Sequence, residues 1–146
     1  MKKIITTKSG KQLELVANLG TDQFYKMFTG HEIEADAIEL SEMRKNANSL
    51  SGDEKTTALR QIASTTLSLS KNLAFIMSTQ AKFFGSETYV RQTMGELTEE
   101  KLTGFLCGFE RTDFDLNLYK EIFALWNGQS QTDSEIKNLD GQLHER

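Results

Sequence analysis

The sequence has no proline and a single cysteine among its 146 residues. One thiol cannot form a disulfide within the chain, so Cys107 indicates a reducing compartment. The absence of proline favours helices joined by turns of Gly, Asn and Ser. The chain has nine Phe, three Tyr and one Trp, and 38% of its residues are apolar. This composition excludes wholesale disorder, and the length fits about one domain.

Long apolar runs and clusters of positive charge are also missing. The most apolar region, residues 59–84, contains Arg60, Lys71, Lys82 and many hydroxyls, which excludes a membrane span. The first five residues are like the start of a signal peptide, but the polar residues 6–10 replace the apolar stretch that should follow. The net charge is −4 and no dense Lys/Arg run occurs, so we expect no binding to nucleic acid.

Groups suited to catalysis are few. His31 and His144 lie far apart, and no His/Cys spacing fits a zinc site. Cys107 follows Phe105 and Leu106, a context that predicts a buried, inert thiol. Acidic pairs such as Glu99–Glu100 are explained as first-turn charges of helices, and the glycines are isolated turn residues. The sequence therefore predicts no enzyme, no metal site and no cofactor.

One long helix, about 53–84, dominates what is present, and Asp53 is its predicted N-cap. Apolar residues recur in it at steps of three and four, from Leu59 to Phe84. At 1.5 Å per residue it would be roughly 45 Å long, whereas a compact domain of this size is only about 38 Å across. We therefore predict a mainly α fold in which this helix spans the molecule and the other elements pack along it.

The remaining elements follow from turn, cap and periodicity signals. We predict one mostly helical domain over 1–128, with an N-terminal β-hairpin, and a flexible polar tail over 129–146. Leu13 and Leu15, with Ile5 opposite, should pack the hairpin on a helix. The predicted elements are a hairpin at about 3–16, a helix at 21–29 capped by Thr21 and ended by Gly30, a helix at about 35–47, a loop at 46–52, a short helix or irregular crossing at 87–95, a helix begun by Thr98, and a helix from Asp113 to Gly128.

The polar face of the long helix is unusual because it contains no acidic residue between Lys55 and Ser86 and is rich in Ser and Thr. Such small hydroxyl residues are poor helix formers, but they allow another backbone to approach closely. Two interpretations remain open: the face is covered within the fold of the chain, which is favoured, or it is a surface for self-association.

Contact residues for a partner are predicted on three grounds. Small or polar residues come from the long helix, aromatic residues are frequent interface hot spots, and apolar residues of the tail at spacings of three and four suit a short amphipathic segment. The aromatic residues are more often core, and the tail pattern is more often chance. The candidates are Ser64, Ser68, Lys71, Thr79, Phe83, Tyr119, Trp126, Ile136 and Leu139.

Three stretches, in this order, resemble the tail assembly chaperones of bacteriophages with long non-contractile tails, especially those of Gram-positive hosts. The first is LELVANLGTDQFYKMFTGHEI, residues 13–33, and the second is LSKNLAFIMSTQAK, residues 69–82. The third runs from Leu97-Thr98 through Phe105-Leu106 to Asp113-Phe114 and the sequence EIFALWNGQSQTDSEIK. The stretches are diffuse patterns and contain no catalytic signature.

This resemblance implies an assembly factor of a phage or prophage that acts in the cytoplasm of the bacterial host and is absent from the mature virion. Members of that family bind the tape-measure protein, keep its long helices soluble until the tail tube forms, and tend to self-associate. The tail-tube protein is a second candidate partner. An alternative is a structural minor tail or head-tail connector protein. A helical DNA-binding regulator is disfavoured, since the Lys and Arg of residues 55–82 are too sparse for a recognition helix.

Overall fold

The computed structural model describes residues 1–128, and these form a mainly helical structure with a two-stranded antiparallel hairpin at the N-terminus. This confirms the predicted fold class. The elements are β1 (Lys2–Thr6), β2 (Gln12–Val16), α1 (Leu19–Thr29), α2 (Ile33–Asn48), α3 (Gly52–Phe83), α4 (Tyr89–Glu96), α5 (Glu99–Leu106) and α6 (Leu116–Trp126). The tail predicted over 129–146 lies outside the described residues.

Helix α3 is the central element, with 32 residues and a length of about 48 Å. β2, α1, α2, α4, α5 and α6 all contact it. Its second half is buried from Leu69 to Met77 except at Lys71 and Asn72, whereas residues 52–61 are exposed apart from Ala58. The expectation of one continuous buried stripe is wrong at its start, because Leu59 is 51% exposed. The fully buried residues of α3 lie in its second half, and Ile62 of the first half also packs against the core.

The hairpin packs one face on α3, as predicted. Its register pairs Ile5 with Leu13 and Lys3 with Leu15. Ile5, Leu13 and Leu15 are all buried, whereas Gln12 and Glu14 of the same ladder are exposed. Alternation along a strand places these two sets on opposite faces. The inner face of the hairpin thereby contributes to the same core cluster as the helices.

The first helix begins earlier than predicted, and Thr21 is not its N-cap. Asn18 is the N-cap, and its Oδ1 accepts a hydrogen bond from Gly20 N at 2.9 Å. Thr21 Oγ1 in turn accepts one from Asn18 N at 3.0 Å, which completes a capping box. Asparagine is among the strongest N-caps, so it displaces the threonine three residues later. Gly30 ends the helix in a left-handed conformation, as predicted.

Two other helix starts also differ from the predictions. Helix α3 has Ser51 as its N-cap, and Asp53 lies in its first turn. Helix α6 has Asp115 as its N-cap, whose Oδ1 accepts from Leu118 N at 2.8 Å, so Asp113 does not start this helix. The helix predicted at about 35–47 is α2, which is slightly longer than predicted. Thr98 is the N-cap of α5, as predicted.

Asp113 instead holds the hairpin turn to the loop before α6. The residue is fully buried, and its carboxylate accepts hydrogen bonds from Ser9 N and Ser9 Oγ at 2.8 Å and from Glu110 N at 2.9 Å. Desolvation opposes ionisation of this carboxyl, but the hydrogen bonds from the two backbone N–H groups and the hydroxyls outweigh it and lower its pKa. The charged form is therefore the one that the fold stabilises.

Replacing Asp113 with Asn should lower Tm at pH 7, because the amide NH2 would face N–H and O–H donors. The pKa of the Asp113 carboxyl is lower in the folded protein than in the unfolded chain, where it is about 3.9. The stability that the carboxylate contributes is therefore fully present above about pH 3.9 and is lost as the pH falls through the folded-state pKa. The difference in Tm between Asp113→Asn and wild type should therefore shrink in thermal scans below about pH 4. Asp115→Asn is the control, since Asn and Asp cap helices about equally. An equal effect of both variants would contradict this role of Asp113.

Candidate interaction surfaces

The hydroxyl-rich face of α3 divides into a buried part and an exposed part. Thr79 is buried and its Oγ1 donates to Phe75 O at 2.8 Å, so this candidate faces the interior of the chain. Ser64 and Ser68 are exposed. Lys71, between the two parts, is half-buried. The interpretation of a face covered within the fold thus describes the C-terminal part of the helix, and self-association remains a candidate role for Ser64 and Ser68.

Gln80 lies next to Thr79 on α3, and it is fully buried and connects three helices. Its Oε1 accepts from Thr21 Oγ1 at 2.8 Å, and its Nε2 donates to Tyr89 OH at 2.9 Å and to Asn18 Oδ1 at 3.1 Å. The sequence contained a signal for this position, since residue 80 lies seven after Leu73 and continues the apolar stripe. A buried amide that uses both ends fixes α1 and α4 against α3.

A polar cleft of about 570 Å³ separates Ser64 and Ser68 from α1 and α2. On its opposite side Tyr25 OH donates to Asp36 Oδ2 at 2.6 Å, and His31 Nδ1 lies 3.1 Å from Asp36 Oδ1. Burial, with the hydrogen bond and the charge of Asp36, raises the pKa of Tyr25 far above its usual value. The tyrosine therefore stays protonated and acts as a donor that connects α1 with α2.

The predicted aromatic hot spots are mostly structural. Tyr119 is buried and stacks on Phe123, with ring centroids 5.4 Å apart. Trp126 is half-buried and its Nε1 donates to Asp22 Oδ1 at 2.6 Å. Phe83 is half-buried at the end of α3. Tyr119 is thus unavailable to a partner, and the two other rings offer only part of their surface. Ile136 and Leu139 lie outside the described residues.

An apolar groove runs along the exposed half of α3, and we call it the arm groove. Leu59, Ala63 and Leu67 lie four residues apart on one face of α3, and Phe114 and Leu116 close the groove at the start of α6. Ala63, Leu67, Phe114 and Leu116 line a depression of about 350 Å³. Leu59, which lies beside it, is 51% exposed, and Leu116 is 56% exposed. The sequence periodicity marked these α3 residues as core, so the groove itself was not predicted.

Ser70 adds a polar group to the arm groove. It lines the depression and is 2% exposed. Its Oγ has no hydrogen-bond partner within residues 1–128. A buried hydroxyl without a partner costs free energy. The depression is thus lined by apolar residues of α3 and the start of α6, together with the polar or charged side chains of Arg44, Thr66, Ser70 and Asp115.

A second groove, of about 790 Å³, lies between β2, α3 and α5, and we call it the strand-edge groove. Lys11, Gln12, Leu13 and Glu14 line one side of it. The other sides are formed by α3 and α5. No local sequence signal predicts this groove, because it depends on how α5 lies relative to the hairpin.

Cys107 is exposed, so the prediction of a buried thiol is wrong. Helix α5 lies at the surface and its apolar residues Leu102, Phe105 and Leu106 are only half-buried. The helix is too short and too peripheral to enclose the residue that follows it.

The native protein should therefore react at Cys107 with a thiol reagent such as Ellman's reagent. We expect one equivalent of thiol to react without denaturant, at a rate within about tenfold of that in denaturant. The absorbance of the released thiolate measures both. A thiol that reacts only after unfolding would contradict the exposed position.

Among residues 1–128, no cluster of three or more His, Cys, Asp or Glu side chains could hold a metal ion. No helix of this part of the chain is long and apolar enough to cross a bilayer. No protein family, curated protein or solved structure matches the chain.

Proposed function

We propose that the chain is a non-enzymatic tail assembly chaperone of a phage or prophage with a long non-contractile tail. In this role it binds the tape-measure protein in the cytoplasm of the bacterial host, keeps its helices soluble while the tail tube forms, and is absent from the mature virion. The proposal rests on the three stretches of resemblance and is supported by the arm groove, whose apolar residues of α3 have the spacing that suits the packing of another helix.

The arm groove supports the proposal through its spacing. Leu59, Ala63 and Leu67 repeat at i, i+4 and i+8, so they form a ridge that can pack against the apolar stripe of another helix. Leu59 and Leu116 are about half exposed, so both side chains are accessible to a client. A long helical client exposes many such stripes before it is assembled and would aggregate through them.

Co-expression with the tape-measure protein of the same genome tests the proposal. We expect the client to be insoluble alone and to co-purify as a soluble complex with this chain. A client that is equally soluble alone and never co-purifies would refute the chaperone function. Detection of the chain in purified virions would instead favour a structural minor tail or head-tail connector protein.

Variants of the arm groove test where the client binds. The double variant Leu59→Glu, Leu116→Glu should weaken client binding at least tenfold, because each carboxylate would be buried against apolar surface. Leu19→Glu is the matched control, since Leu19 is 92% exposed at the start of α1, where an acid is tolerated. If both variants bind the client as wild type does, the client uses another surface even though the chaperone function stands.

Self-association is the second part of the proposal, and Ser64 and Ser68 are its candidate residues. Ser68→Glu should shift sedimentation towards smaller species if this face joins copies. Thr79→Glu is unsuitable as a test, because Thr79 is buried and the change would destabilise the fold itself. An unchanged sedimentation profile for Ser64→Glu and Ser68→Glu would exclude this face as the interface.

A further inference from the structure

The hydrogen bonds that flank the hairpin show which backbone groups its strands leave unused. Thr7 N donates to Lys11 O at 2.8 Å, and Ala17 N donates to Met1 O at 2.9 Å. In an antiparallel pair, hydrogen-bonded and non-hydrogen-bonded residue pairs alternate. The odd-numbered residues therefore bond across the hairpin. The even-numbered residues of β2 direct their N–H and C=O groups away from β1.

Two of these residues, Gln12 and Glu14, face the strand-edge groove. Side chains of a strand alternate between its faces, yet the four consecutive residues 11–14 all line this groove. No residue of β1 lines it. The groove therefore runs along the free edge of β2, where the N–H and C=O of Gln12 and Glu14 lie open to a ligand.

The other walls of the groove can receive side chains. Phe105 and Phe109 are half-buried, with ring centroids 5.0 Å apart, and Phe105 packs on the buried Phe75 at 5.6 Å. Lys11 Nζ lies 5.2 Å from the centroid of the Phe109 ring, at one end of this set. On α5, Gly104 has no side chain, and a Cβ built there would meet nothing within 4 Å. The α5 backbone is thus open to close approach across the groove from β2.

We propose that the strand-edge groove binds an extended segment of a partner protein, which adds to β2 as a third strand and places apolar side chains against the half-buried rings of Phe105 and Phe109. A helix cannot use the free groups of Gln12 and Glu14, because its own N–H and C=O groups are already bonded internally. An extended segment bonds to them directly. A two-stranded sheet is also of marginal stability, and a third strand extends it.

A displayed library of random dodecapeptides, selected on the immobilised full chain, tests this site independently of the tape-measure protein. We expect the selected peptides to share apolar residues at every second position, the period of a strand. Peptides with apolar residues at steps of three and four would overturn the proposal, as would the absence of any enriched peptide.

Filling the groove should block it. Gly104→Leu places a side chain in open space and improves helix propensity, so the fold is retained while affinity for a selected peptide falls at least about tenfold. Gly95→Leu is the matched control, because Gly95 is also a helical glycine with open space around it and does not line the groove. Equal affinities of the two variants would overturn the proposal.

Backbone methylation of a selected peptide separates strand addition from side-chain binding and needs no protein variant. Methylated nitrogens cannot donate, and only every second residue of an added strand bonds to β2. N-methylation should therefore abolish binding at alternate residues and be tolerated at the residues between them. A uniform effect along the peptide would overturn the proposal. If Gly104→Leu instead dissociates an oligomer of the chain, the occupant is a second copy and the proposed partner segment is wrong.

Discussion

Replacing Gln80 with Ala should lower the free energy of unfolding by about 2–4 kcal/mol. The side chain is fully buried, and its amide hydrogen bonds to Thr21, Tyr89 and Asn18. Alanine leaves a cavity and removes one hydrogen-bond partner from each of these groups in one step. Urea denaturation, monitored by circular dichroism, measures the loss in the free energy of unfolding. We also expect α1 and α4 to pack less firmly on α3, because Gln80 bonds to both.

Gln61→Ala provides the control for this prediction. Gln61 belongs to the same helix but is exposed, so the same change there should alter the free energy of unfolding by less than about 0.5 kcal/mol. Ala has a slightly higher helix propensity than Gln, so the change at Gln61 could even stabilise the helix a little. Equal losses at the two positions would show that the Gln80 network contributes nothing beyond helix propensity.

Leu73→Ala should have a still larger effect, a loss of about 3–5 kcal/mol. Leu73 is fully buried in the second half of α3 and belongs to the core cluster that the hairpin and the helices form together. Truncation removes apolar area from the common core and leaves a cavity that rigid neighbours fill only partly. For a protein with ordinary stability of roughly 5–15 kcal/mol, this loss is a large fraction of the total. Thermal and urea unfolding would both report it.

Leu59→Ala is the matched comparison, since it is the same substitution on the same helix. Leu59 is 51% exposed, so most of its side chain is already in water and the expected loss is below about 1 kcal/mol. A loss at Leu59 close to that at Leu73 would mean that the start of α3 is covered in solution. Self-association through the arm groove would produce that result, and dilution would then reduce it.

The sequence predicted the fold well where the reason was local. The 3.6-residue spacing of apolar side chains identified α3, and Gly10 and Gly30 occupy turns at positive φ that few other residues adopt readily. Cap assignments were less accurate, because several polar residues near each helix start compete. Asn18, Ser51 and Asp115 are the N-caps instead of Thr21, Asp53 and Asp113.

What the sequence could not predict depends on which elements meet. Periodicity defines an apolar face but says nothing about what covers it, so Leu59 was expected inside with Leu73. Ser9 and Asp113 are 104 residues apart, and nothing in either local sequence indicates their hydrogen bonds. The two grooves were missed for the same reason, since each is formed by residues of three separate segments.

The uneven burial of α3 also has a kinetic consequence. Backbone hydrogen bonds near its exposed start open through local fluctuations that cost little, whereas those between Leu69 and Gln80 open only when the core does. Amide hydrogen exchange should therefore divide this single helix into a fast segment at residues 52–61 and a slow one at 69–80. A helix that frays at one end while anchored at the other can lengthen its ordered part when a partner arrives, so binding and helix formation become one coupled event.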